Sequence, residues 1–91
     1  MNSVTVRFAI DARSQEQLVG VLYAALQKMK AESFISEAEV TAVHPGAEDE
    51  RRRTLFVVQF NGLAAKVAEL LGRIPGVVRA HVASERKLAA G

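Results

Sequence analysis

Ninety-one residues without a single cysteine read as one domain, near the small end of what folds alone; they exclude a disulfide framework, a thiolate metal site and a cysteine nucleophile. Twelve basic residues against ten acidic ones leave a net charge of only +2, a solubility feature rather than the footprint of a polyanion-binding protein. Apolar residues make up 49% of the chain, enough for a core, yet there is no run of about 18 of them to span a bilayer, and MNSVTVRF lacks the basic-then-apolar pattern of a signal peptide.

Val4, Val6, Phe8 and Ile10 alternate with Thr5, Arg7 and Ala9, the period of a strand with one covered face, over 4–10. Asp11, Ala12 and Arg13 form a short loop. Ser14 then stands three residues before Gln17, the spacing of a capping box at a helix start. Leu18, Val21, Leu22, Ala25, Leu26 and Met29 recur at three- and four-residue steps, an amphipathic helix ending near Lys28 and Lys30, whose charge suits a helix C-terminus.

Residues 35–43 alternate again, with Ala38, Val40 and Ala42 on one side and Glu37, Glu39 and Thr41 on the other. His44-Pro45-Gly46 breaks this strand, and AEDERRR is expected as a solvated hairpin loop in which the acids at 48–50 and the arginines at 51–53 largely cancel. TLFVVQF, residues 54–60, is nearly all apolar and suits a central strand. Asn61 is a candidate N-cap for a second helix with Leu63, Val67, Leu70, Leu71 and Ile74 inward, stopped by Gly72 and Pro75-Gly76. VVRAHV, 77–82, is the last strand, with Val78, Ala80 and Val82 expected inward and Arg79 and His81 outward. The core spans 4–83 and 84–91 reads as a tail.

The order strand, helix, strand, strand, helix, strand, with right-handed crossovers, predicts an α+β, ferredoxin-like βαββαβ domain. Four antiparallel strands carry both helices on one face. In that arrangement the first and third strands are central and the second and fourth are edges, which agrees with the first and third being the most apolar and the second carrying charges that discourage edge pairing.

No catalytic or metal constellation emerges. A metal site needs three or four converging donors. His44 falls in a turn, and His81 on the outer side of an edge strand, across the sheet from Glu37 and Glu39. The arginines at 51–53 compete for the carboxylates of Glu48, Asp49 and Glu50. Ser3, Ser14, Ser33, Ser36 and Ser84 have no evident histidine partner. The metal-binding cysteine pair of copper chaperones and the glycine-rich anion loop of acylphosphatases, two other chemistries on this fold, are both missing. RNA-binding relatives of the fold stack bases on aromatic residues of the open sheet face. Here that face holds Thr5, Arg7, Ala9, Leu55, Val57, Gln59, Arg79 and His81, while Phe8, Phe56 and Phe60 point inward. The expectation is no enzyme, no cofactor, no metal and no nucleic-acid partner.

What remains is a partly apolar open face. Leu55 and Val57 sit mid-sheet beside Arg7, Ala9 and Val43, and with Arg79 they make an interface candidate for a homodimer or for docking on a parent protein. A rival surface is the start of the first helix, where Asp11, Arg13 and Ser14 lie beside N–H groups able to bind the carboxylate of a small amino-acid ligand.

LAAKVAELLGRIPGVVRAHV, residues 63–82, resembles the closing helix and strand of ACT-type regulatory domains, which commonly read "L...L..IPGV..V"; by element order and length the resemblance covers 4–83. It implies a regulatory domain. Ligand-binding ACT domains carry an acidic-x-Pro-Gly turn after the first strand; Asp11 matches its acid, but the Pro-Gly is absent. A version without that turn is similar to the C-terminal cytoplasmic domain of the MgtC/SapB family, bacterial inner-membrane proteins linked to magnesium limitation and virulence. The shared features are the VTVRFAID opening, the long first helix, the charged hairpin and the IPGV close. That resemblance implies a cytoplasmic domain docked on a membrane protein whose helices precede Met1, with no membrane insertion by this segment.

Overall fold

The computed structural model describes residues 1–9, 14–42 and 54–84. Asp11, Arg13, Val43, His44, the acids at 48–50 and the arginines at 51–53 lie outside the described residues. Within them the chain forms β1 (Asn2–Phe8), α1 (Gln15–Ala31), β2 (Ile35–Ala42), β3 (Leu55–Gly62), α2 (Ala64–Gly72) and β4 (Val77–Ser84). The strands lie in the order β2-β3-β1-β4, every neighbouring pair antiparallel. This is the ferredoxin-like βαββαβ arrangement, with the apolar β1 and β3 central and β2 and β4 as edges.

Alternation along the strands divides the sheet. Val4, Val6 and Phe8 of β1 and Phe56, Val58 and Phe60 of β3 all turn to one side and are buried. Leu18, Leu22, Leu26 and Met29 of α1 and Ala64, Val67 and Leu71 of α2 close over them in one cluster. Both helices therefore cover the same face. The rings of Phe8 and Phe56 meet edge to face, 5.9 Å between centroids at 83°, which fixes the two central strands against each other beneath the helices.

The ends of α1 are closed by side chain and backbone. Ser14 Oγ accepts the Gln17 N–H at 3.2 Å and Gln17 Oε1 accepts the Ser14 N–H at 2.9 Å, the capping box that the sequence spacing predicts. At the far end Ser33 takes φ 65°, the Phe34 N–H reaches the Met29 carbonyl and the Ser33 N–H reaches that of Lys30. These two bonds form a Schellman motif with a serine where glycine is usual. Ile74-Pro75-Gly76-Val77 closes the second crossover. The Val77 N–H donates to the Ile74 carbonyl at 3.0 Å, and Gly76 has φ 95°, the pattern of a type II β-turn. The same turn is tied to β1 by a 2.8 Å bond from the Ala9 N–H to the Gly76 carbonyl.

Several local expectations are corrected. β1 begins at Asn2 rather than Val4: Asn2 pairs with Phe60, and its Nδ2 donates to the Gly62 carbonyl at 2.6 Å, so two more residues join the ladder. Asn61 does not cap α2. The ladder with β2 continues through Asn61 and Gly62, which moves the helix start to Leu63, a cap without a side-chain bond. Leu63 is consequently outside the inward stripe and 73% exposed. In β4 a register shift sets Val77 opposite Phe8 and Arg79 opposite Arg7, so the extra residue Val78 is pushed out of the pairing. Val77 takes the inward place expected for Val78, which is 66% exposed. β4 also pairs two residues past 82, with Ser84 opposite Ser3. Among the described residues no helix is long and apolar enough to cross a membrane.

Candidate functional site

The face of the sheet away from the helices is laid out in rows by the strand register, because residues directly opposite one another share a face. One row reads Thr41, Val57, Thr5, His81 from β2 to β4. On one side of it lie Leu55, Arg7 and Arg79, and on the other Glu39, Gln59 and Ser3. Four of the predicted interface residues, Leu55, Val57, Arg7 and Arg79, are thus neighbours in two adjacent rows. Arg7, Arg79, Gln59, Glu39 and His81 are exposed, while Leu55, Val57 and Thr5 are half-buried by the side chains around them.

The result is a shallow aliphatic strip on β3 between two charged margins. β2 supplies acid. Glu39 projects onto the face, and Glu37 is turned toward it by a bulge in which Glu37 and Ala38 together oppose Phe60. Glu37 adopts φ 50°, and its Oε2 accepts the Asn61 Nδ2 at 2.8 Å. β1 and β4 supply base, through Arg7 and Arg79 with His81 beside them. Among the described residues that the register places on this face, none is aromatic.

At the rival location only Ser14 lies within the described residues. Its hydroxyl and its N–H are both engaged by Gln17, so the start of α1 is closed by its own capping box. Asp11 and Arg13 fall outside the described residues. His81 stands opposite Thr5 at the margin of the sheet, and no three His, Asp or Glu side chains converge among the described residues.

Two features of the site escape sequence reasoning. Nothing in ISEAEV marks Glu37 as a bulge, since glutamate is not a residue type that favours positive φ. The second is the closure of one edge. Tyr23, on the exposed flank of α1, accepts the Val40 N–H at 3.1 Å and so covers part of the outer rim of β2. An aromatic residue on the polar side of an amphipathic helix was the available signal, but its partner lies 17 residues away. Neither the protein-family models, the curated proteins nor the solved structures compared with this chain gave a match.

Proposed function

We propose that this domain is a non-catalytic regulatory or interaction module that works by association through the open face of its sheet. The observation that carries the reading is the one-sided layering. Both helices pack on a single face, and the opposite face leaves Leu55 and Val57, on a central strand, half-exposed among polar neighbours. A partly uncovered aliphatic strip at the centre of a sheet is apolar surface that association would remove from water. The proposal extends to the setting. Its resemblance to the C-terminal domain of MgtC/SapB proteins supports a cytoplasmic module docked on a membrane protein of magnesium homeostasis.

The test is amide-resolved NMR on the isolated chain, first across a concentration series and then with a panel of amino acids and with magnesium. Concentration-dependent shifts at Leu55, Val57, Thr5 and Arg7 are the expected result. Shifts gathered at Ser14 to Gln17 on adding one amino acid, with no concentration dependence on the sheet, would overturn it in favour of a small-ligand sensor. Leu55→Lys should abolish the concentration dependence while leaving the remaining spectrum intact.

A further inference from the structure

We propose that the end of the domain around Gly62 is a second contact surface, separate from the open face of the sheet, which seats on an anionic lipid membrane. Of the six large apolar side chains exposed among the described residues, three gather there: Met1, Phe34 and Leu63. The backbone brings them together. Gly62 pairs with Ile35, and the Phe34 carbonyl lies against it. Asn2 Nδ2 donates to the Gly62 carbonyl, which sets Met1 beside them, and Leu63 follows Gly62 directly. Two of the other exposed residues have reasons internal to the fold: Tyr23 bonds the edge of β2, and Val78 is displaced by a register shift.

The start of α2 runs against what a helix favours. Leu63 occupies the cap, where Ser, Thr, Asp or Asn would bond a free N–H, and it makes no side-chain bond. The first turn holds no acid; its third residue is Lys66, whose charge opposes the positive end of the helix dipole. The Lys66 Nζ lies 4.7 Å from the centroid of the Phe34 ring, which keeps an ammonium at the rim of the apolar cluster. Lys28 and Lys30, in the last turn of α1, and the amino group of Met1 add positive charge at the same end, against the carboxylates of Glu32 and Glu37. Glu37 is already bonded by Asn61. An apolar tip with a cationic rim complements an anionic bilayer surface: headgroups meet the lysines while the apolar side chains reach the acyl boundary. Area separates this occupant from a protein. The exposed parts of three such side chains come to roughly 300 Å², well short of the ~800 Å² per partner of a specific protein interface. Membrane binding instead scales with whatever apolar area is buried, plus the attraction to anionic lipid. The contact is peripheral, made by side chains alone.

The test is sedimentation of the full chain with vesicles of phosphatidylglycerol and phosphatidylcholine in equal parts, and with phosphatidylcholine alone, at low and high salt. The chain should bind the mixed vesicles about tenfold or more tighter than the neutral ones, and the difference should fade in high salt. Leu63→Ser separates the surface from the fold. It supplies a cap, so the thermal midpoint should hold or rise, while vesicle affinity falls about threefold or more. Lys66→Glu should lower that affinity about tenfold or more, with circular dichroism as the check on folding. A paramagnetic headgroup lipid should broaden the amides of Phe34, Leu63 and Lys66 before those of Val57 and His81. Equal binding to neutral vesicles, binding that survives both substitutions, or no binding at all overturns the proposal. Polyglutamate that shifts the same amides while vesicles do not would give the surface to an acidic protein instead. The sheet-face reading is untouched by any of these results, since the concentration series tests it separately.

Discussion

Gly62 lies so close to Ile35 that a β carbon on it would stand 2.8 Å from the Ile35 Cγ2 and 2.8 Å from the Phe34 carbonyl oxygen. Its φ of 155° adds a backbone strain that glycine alone avoids. Here β3 ends against the start of β2, and the backbone of Phe34 cannot retreat, because its N–H is held by the Met29 carbonyl at the end of α1. Gly62→Ala should therefore cost roughly 2 kcal/mol or more, combining overpacking with strain. A urea melt reads this directly, and an unchanged midpoint would mean that the contact relaxes freely.

The IPGV turn makes a second prediction. Gly76 sits at the turn position that needs positive φ, at 95°, while Pro75 holds the preceding position in its preferred φ. Gly76→Ala should destabilise by about 1–2 kcal/mol, the cost of the left-handed region for a residue with a β carbon. Pro75→Ala should cost less, about 0.4–1 kcal/mol, because it acts through the freedom of the unfolded chain. Thermal melts of the two variants should rank in that order; the reverse would show that the proline does more than stiffen the turn.

Ser33 carries the opposite expectation. It adopts φ 65° at the end of α1, so its β carbon is a burden there. Ser33→Gly removes that burden and should stabilise the domain by about 0.5–1 kcal/mol, net of the extra freedom glycine gives the unfolded state. A rise in the urea midpoint with an unchanged slope is the expected reading, and a fall would mean that the serine hydroxyl contributes more than its backbone costs.

The layered core was legible because it depends on period. Alternation in β1 and β3, and three- and four-residue steps in α1, locate Val4, Val6, Phe56, Val58, Leu18 and Leu22 inside without knowledge of the partners. The boundaries were not, because they depend on what lies opposite. Asn61 looks like a helix cap until Ser36 is known to pair with it, and Val78 looks inward until the register shift opposite Arg7 and Phe8 is known. The aliphatic strip of the candidate site followed from alternation alone. So did the placement of Glu37 and Glu39 on one edge strand, across the sheet from Arg79 and His81; the row that Glu39 shares with Gln59 did not, since it depends on the register and on the bulge before it.

Tyr23 makes the edge of β2 testable. Its hydroxyl accepts the Val40 N–H at 3.1 Å, on the side of the strand away from β3. Tyr23→Phe keeps the ring and removes the acceptor. Because the bond is exposed, the stability change should be at the low end of about 0.5–1.5 kcal/mol. The sharper readout is hydrogen exchange: the Val40 amide should exchange faster while Val58, beside it in β3, is unaffected. Equal acceleration at both would point to a general loosening of the sheet instead.

The neighbours Leu55 and Phe56 separate stability from association on a single strand. Phe56 points into the core, fully buried, with its ring against Phe8, whereas Leu55 points to the open face beside Arg7. Phe56→Ala should cost about 3–5 kcal/mol, a large share of what a domain of this size holds, and should leave much of the chain unfolded. Leu55→Lys moves a long aliphatic stem into a half-exposed place, where the ammonium reaches water, and should change stability by less than about 1 kcal/mol. Its effect should fall on association, because it sets a third positive charge beside Arg7 and Arg79 in the strip that association would cover. Urea melts and sedimentation on the same two proteins decide the matter. If Leu55→Lys unfolds the domain as Phe56→Ala does, the strip belongs to the fold, and the open face loses its claim to a separate role.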